Sequence, residues 1–376
     1  MISFWEQDAC FETDCIIIGS GIIGLSTAIE LKQQRPRARI VVFERGLFGE
    51  GASTKNAGFA CVGSLSEIAS DIDRYGSDAA FSLVEQRWRG LSILRKRLGD
   101  TAIEFEQFGG YELLFESNFT SVINRLDEVN ALIFDIFRRP LFSAVPQRIQ
   151  DFGFAGMRDL LFNPLEGQIH SGKMILSLRN FALSIGVEIL SGASVTDITE
   201  HNNRVIAEIC VSSERLKFTA NSAAVCTNGY LKNILPKIDI SPGRGQVILT
   251  EPIDKLPFHG AFHFDEGFYY FRNVGNRVLF GGGRNLDFDG ERTECFGLSE
   301  TIQTALEQYL SEIILPQHRV GIASRWSGIM GFSRNKLPIT EHYSPRIVVG
   351  FGCNGMGVAL GSIIGNDVAE LLANIE

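Results

Sequence analysis

The chain has 376 residues, 45% of them hydrophobic and 21% charged, with a formal net charge of −9. That length predicts two or three domains, and the acidic balance excludes the basic footprint that nucleic-acid binding requires. No apolar run approaches the ~20 residues of a membrane-spanning helix, and no basic stretch leads into a hydrophobic core at the N-terminus, so a cytoplasmic location is expected.

Cys15-Ile16-Ile17-Ile18 predicts a buried strand running into Gly19-Ser20-Gly21-Ile22-Ile23-Gly24. Gly19 permits a tight turn, Gly21 lets backbone approach a pyrophosphate, and Gly24 lets the next helix pack closely on the sheet. Leu25, Ala28, Ile29 and Leu31 continue that helix, whose free N-terminal N–H groups favour phosphate. Residues 40–43 predict a second strand that delivers Glu44 to the hydroxyls of an adenosine ribose. Strand, glycines, helix, strand and acid in register read as a dinucleotide-binding unit. A small-residue loop, 49–59, follows directly. Its backbone can crowd a flat ligand and Ser53, Lys55 and Asn56 offer donors, which predicts a cofactor longer than the first pocket.

Residues 79–98 predict a helix with Phe81, Val84, Trp88, Leu91 and Leu94 inward; Arg87, Arg89, Arg95, Lys96 and Arg97 then read as its solvated face. Further along, 108–115 reads as a strand, 118–138 as a helix closed by Pro140, and 173–186 as a helix ending at glycine. Strands at 187–190, 194–198, 204–211 and 222–226 predict the later part of a doubly wound sheet with an antiparallel insertion. His170, just before a helix, reads as structural. His259 and His263 are four apart, but their strand or loop setting lacks a third ligand nearby, so no metal is expected. The seven cysteines are scattered without a C-x-x-C pair, which argues against disulfides and zinc, and Cys15 and Cys226 read as small core residues.

GSGIIG with Glu44, the GASTKNAGF loop, Val195, the 224–229 and 243–246 segments and the C-terminal GFGCNGMGVA together resemble the FAD-dependent D-amino-acid oxidase superfamily, over nearly the whole chain. The resemblance implies an α/β fold in which a Rossmann-like FAD-binding domain (1–75, 150–230 and 335–376) is interleaved with an antiparallel-sheet substrate or cap domain (76–149 and 231–334). It implies that Gly19, Gly21, Ile23, Gly24, Glu44 and Arg45 hold the ADP half of FAD. Ala52, Ser53, Lys55, Asn56, Ala57 and Gly58 would lie by the flavin, with Val195 holding adenine through its backbone. Thr227, Asn228 and Gly229 would join them, and Gly352, Asn354, Gly355, Met356 and Gly357 would contact the flavin ring.

Residues 325–338 resemble the W-x-G-x-x-G-[IF]-[ST]-x-[ND]-x-x-P pattern of amine-oxidising members of the gamma-glutamylputrescine oxidoreductase type. Where glycine and D-amino-acid oxidases place a carboxylate-binding arginine, this chain has Met330, and a neutral thioether cannot replace a bidentate guanidinium. An amine substrate is therefore expected, with Arg272 or Arg284 as the other places a carboxylate could be held. No cysteine lies near Gly328, where sarcosine oxidase attaches its flavin, so FAD is expected to be non-covalent. That oxidase also uses a lysine to help dioxygen, and residues 277–283 contain none, which leaves a dehydrogenase with another electron acceptor open beside an oxidase.

The implied reaction is hydride transfer from a carbon bearing nitrogen to flavin, giving an imine that water hydrolyses. The expected pocket is Phe59, Gln246, Tyr270, Arg272 and Met330, with one of Tyr269 and Tyr270 turned away by strand alternation. The rival readings are an amino-acid oxidase or dehydrogenase of the glycine or sarcosine type, and a protein using FAD only as a structural or sensing ligand.

Overall fold

A computed structural model describes residues 2–211 and 214–375. The first sheet is built on Glu12–Ile18, which pairs in parallel with Ile40–Glu44 on one side and Glu214–Val225 on the other. Both neighbours extend the ladder, through Glu188–Ser191 beyond the first and Ile347–Phe351 beyond the second. Strands covered on both faces must be apolar nearly throughout, and Ile40–Glu44 and Ile347–Phe351 are buried at every position. Ser194–His201 and Arg204–Val211 form the antiparallel insertion, and Ile339–Ser344 closes the far edge.

Two helices cover one face, Ile22–Gln34 and Gly357–Ala373, and glycines set their spacing. A Cβ at Gly365 would sit 2.5 Å from that of Ser26, and one at Gly361 would sit 2.4 Å from Ile22 Cγ2. The helix Ser77–Leu98 packs in turn on Gly357–Ala373, where a Cβ at Gly90 would stand 1.9 Å from the Ala359 carbonyl oxygen.

The second sheet is mostly antiparallel, with Ile322–Ser333 at one edge, followed by Ile240–Thr250, Arg277–Gly282, Tyr269–Val274, Ala261–Phe264, Gly110–Leu114, Asp159–Asn163 and Ser143–Ala144. Asp159–Asn163 falls within the range read from sequence as nucleotide-binding, yet it pairs here with Gly110–Leu114. One face buries an aromatic core that includes Tyr111, Phe154, Phe258, Phe262 and Phe271, closed by the helix Glu300–Tyr309. Phe262 and Phe271 stack at 4.6 Å. The opposite face meets the 52–59 loop. The α/β class, a nucleotide-type sheet with a separate antiparallel sheet, is as the sequence predicts.

Several local expectations need correction. The 118–138 helix is three short helices, Phe119–Ile123, Leu126–Leu132 and Phe134–Phe137. Breaks near Asn124 and Ile133 let Val122, Val129 and Ile133 all reach the core, while Asn130 turns its amide to Leu141 and Phe142. The strand at 108–115 shortens to Gly110–Leu114, leaving Phe108 exposed. The basic face is not uniformly solvated. Arg87 is buried, donating to the Val62 carbonyl at 2.9 Å and pairing with Asp71 at 3.7 Å. Arg97 reaches Glu30 and Asn366, both at 3.1 Å. His170 is structural, its Nδ1 accepting from the Lys173 N–H as the N-cap of Ser171–Ser184.

Candidate functional site

A cavity of about 320 Å³ opens where the first sheet's strands end. Gly19 and Gly21 line it, as do Glu44, Arg45, Ala52, Ser53, Val195, Thr227 and Asn228. Gly19 has φ +99° and a Cβ there would meet the Cys226 carbonyl at 3.0 Å. Gly21 is the N-cap of Ile22–Gln34, and its missing Cβ leaves room for Ser53 Oγ, which would otherwise stand 2.9 Å away. That Oγ accepts from the Ile22 N–H at 3.1 Å, tying the second loop to the helix start. The buried Glu44 carboxylate accepts from Ser20 N–H, Ser20 O–H and Gly46 N–H, each at 2.9 Å, so its position is set before any ligand arrives. Val195 and Thr196 also line the cavity, and the ladder with Arg204–Val211 skips Thr196 between Asp197 and Val195.

Other expected cofactor residues stand behind or beyond this cavity. Ile23 is in the core, and Gly24 backs onto the Gly19 carbonyl, 1.9 Å from an added Cβ. Asn56 does not offer free donors. Its amide donates to Ala52 and Ser53 carbonyls and accepts from Gly58 N–H and Ser171 O–H, so it shapes the loop. Lys55 Nζ donates to the Glu50 carbonyl at 3.0 Å, and Trp326 Nε1 donates to the Lys55 carbonyl at 3.0 Å. Ala57 is buried against Val247 and Leu279, and a Cβ at Gly58 would meet the Ile169 carbonyl at 2.3 Å. Gly229 packs on the Met330 carbonyl, 2.6 Å from an added Cβ. Asn228 Oδ1 accepts from the Gly352 N–H at 3.1 Å, and Asn354 Oδ1 accepts from the Ser333 N–H at 2.9 Å. Gly355, Met356 and Gly357 lead from there into the C-terminal helix.

Sequence reading missed Tyr230, whose ring lies 3.8 Å from the Arg45 guanidinium and whose hydroxyl is buried without a partner. Its place directly after Asn228-Gly229 was the available signal. Thr227 Oγ1 is likewise buried and unpartnered at the cavity wall. Such polar atoms are satisfied when a ligand supplies their hydrogen bonds.

Beyond Ile329 the second sheet presents a face cleared by glycines. An added Cβ at Gly245 would stand 2.8 Å from Met330 Cε, and one at Gly281 would stand 2.7 Å from the Tyr270 ring. Phe59 packs on Tyr270 at 5.6 Å. Burial drives the Tyr270 hydroxyl up to about 12, which keeps it protonated at neutral pH. Arg272 shares this face by alternation with Tyr270. Burial lowers its guanidinium to about 10 against the pull of Glu106, Nη2 donates to the Ile169 carbonyl at 3.0 Å, and Nε has no partner. Met330, Tyr270, Phe59 and Arg272 are thus on one side of the sheet.

Gln246 is not with them. Its side chain points to the opposite face, accepting from Ser299 N–H and Gln303 Nε2, both at 3.0 Å, while its strand neighbour Val247 faces the 52–59 loop. Tyr269 is the tyrosine turned away, stacked on Phe264 at 4.8 Å in the aromatic core. His259 is exposed against Phe108, whereas His263 is buried, its ring 4.9 Å from Phe59.

A glycine-lined cavity at the strand ends of a largely parallel sheet, with an acid after the second strand and a second sheet facing it, defines a dinucleotide-binding fold. The profile of the FAD dependent oxidoreductase family (DAO) matches residues 14–371, and the chain belongs to that family. It is 26% identical to the probable oxidoreductase OrdL of Haemophilus influenzae, covering 96% of this chain and 82% of that protein. It is 25% identical to gamma-glutamylputrescine oxidoreductase of Escherichia coli, covering 96% and 83%. Among solved structures, glycine oxidase from Geobacillus kaustophilus superposes with a TM-score of 0.78 at 19% identity, covering 97% of this chain and 96% of that one. No helix among the described residues is long and apolar enough to cross a membrane.

Proposed function

We propose that this FAD-dependent oxidoreductase holds its cofactor non-covalently and oxidises the C–N bond of a primary or secondary amine in the cytoplasm. The first sheet with its cavity forms the FAD side, and the second sheet forms the substrate side. Gly19, Gly21 and the Ile22 helix start fit a pyrophosphate, Glu44 fits a ribose diol, and unpartnered Thr227 and Tyr230 hydroxyls supply further hydrogen bonds. Bound FAD supplies the hydride acceptor, and the substrate side orients and desolvates the amine. Phe59 and Tyr270 exclude water, and Met330 bounds the strip opened by Gly245. The amine loses a hydride and a proton, and the imine released is hydrolysed to a carbonyl compound and ammonia or a smaller amine.

The observation that carries the amine reading is Met330 on the glycine-cleared face, in the slot where a carboxylate-binding guanidinium would stand. A name among its relatives, gamma-glutamylputrescine oxidoreductase, is in keeping with it. The unpartnered Nε of buried Arg272 favours a second reading, a free amino acid held from the neighbouring strand. An anaerobic screen of flavin bleaching over amines and amino acids decides between them. Fastest reduction is expected with an amine. Fastest reduction by glycine, sarcosine or another amino acid transfers the assignment to Arg272, and bleaching by none of them refutes catalysis at this site. Denaturation should release all FAD into solution.

A further inference from the structure

Past Phe59, a second group of side chains lies outside the machinery described above. Cys61 Sγ, a carboxylate oxygen of Glu166 and an imidazole nitrogen of His263 are all within 4.8 Å of one another, and all three residues are buried. They come from distant parts of the chain. The short strands Phe59–Ala60 and Gly167–Gln168 pair with each other, and that pairing brings Cys61 beside Glu166. His263 comes from the second sheet, where it is in register with Tyr270 on one side and Glu112 on the other.

The spacing is informative. His263 Nε2 stands 3.7 Å from Glu166 Oε2 and has no hydrogen-bond partner. A direct N–H···O bond would close to ~2.7–3.2 Å. Two ligands of one tetrahedral ion, each ~2.0–2.1 Å from it, stand roughly 3.3 Å apart, so a small inward shift of the pair would let both reach one ion. Glu112, in register with His263 on the adjacent strand, adds another buried carboxylate beside the group. Arg87 is the cation acting on Cys61, and it is already held by Val62 and Asp71.

We propose that Cys61, Glu166 and His263 bind one zinc ion, which ties the loop after Phe59 and the Glu166 turn to the second sheet. Thiolate, imidazole and carboxylate are each zinc donors, and three protein ligands leave a fourth position for water. Without the ion, burial raises the Cys61 thiol well above its ordinary value and it stays neutral. Zinc binding forms the Zn–S bond and releases that thiol proton to solvent. Loading is expected during folding, since none of the three ligands is exposed.

The test uses flavin-loaded enzyme expressed with added zinc and dialysed against a weak chelator. Elemental analysis should find about one zinc per chain, and the zinc K-edge spectrum should contain a single sulfur neighbour with nitrogen and oxygen. Cys61→Ala and His263→Gln should each lower occupancy by at least ~10-fold, whereas Cys295→Ala, at an exposed cysteine, should leave it unchanged. Substoichiometric zinc in the loaded wild type, a zinc shell without sulfur, or zinc retained by both ligand variants overturns the proposal, as does loss of zinc in Cys295→Ala. Should the ligand variants fail to fold, stoichiometry and spectrum of the wild type decide alone. Because the readout is metal content, it is independent of which substrate reduces the flavin.

Discussion

Met330 and Gly21 carry the two sharpest residue-level expectations. Met330→Arg places a guanidinium on a half-buried face with no carboxylate beside it, so reduction by the native amine should fall while small amino acids gain a bidentate partner. Anaerobic bleaching rates of wild type and variant over the same panel measure this, and an unchanged preference would remove Met330 from the pocket. Gly21→Ala drives a Cβ against Ser53 Oγ, the acceptor of the Ile22 N–H. FAD affinity should drop by about 10-fold, roughly one hydrogen bond, with far-UV circular dichroism unchanged. Equal affinity in the variant would mean that the pyrophosphate is held elsewhere.

Helix spacing and strand edges set the expectations for elements. Gly90→Ala gains up to ~1 kcal/mol in helix propensity, but its Cβ meets backbone at 1.9 Å where Ser77–Leu98 crosses Gly357–Ala373. Overpacking of ~1–3 kcal/mol should win, so urea melts should register a net loss of stability; a gain would mean the helices separate freely. At the sheet edge Arg39 donates to both Glu188 oxygens, at 2.8 and 3.0 Å, and these bonds lower the Glu188 carboxyl below its ordinary value. A carboxyl lowered on folding stabilises above its unfolded pKa and loses that contribution as pH falls through the folded one. Glu188→Gln should therefore cost under ~1 kcal/mol at pH 7, given the pair's exposure, and almost nothing near pH 2. A pH-independent difference between the two proteins would deny the linkage.

For the whole molecule, the proposed FAD cavity draws on residues from across the first sheet and from the 52–53 loop, so ligand should stabilise the folded chain by mass action. Free FAD at 100 times its dissociation constant should add ~2.7 kcal/mol to unfolding, read as a shift in the thermal midpoint. A midpoint indifferent to FAD would place the ligand outside this cavity.

The nucleotide unit was legible in the sequence because its determinants are local: glycines at fixed spacing, a helix begun at their end, and strands apolar enough to be covered on both faces. The His170 cap and the inward stripe of Ser77–Leu98 are local in the same sense. Gln246 was misplaced because buried residues fall on both faces of its strand, so alternation leaves no polar stripe to say which side meets the site. Only the partner helix decides it. Arg87 and Arg97 read as solvated because Asp71, Glu30 and Asn366, the groups that make their burial tolerable, stand elsewhere in the chain. Asp159–Asn163 joins the second sheet through pairing that no local pattern specifies. For the same reason the nearness of Cys61, Glu166 and His263 was invisible: three residues with no common spacing meet where one strand pairing and one sheet register coincide, and both are set by packing of the whole chain.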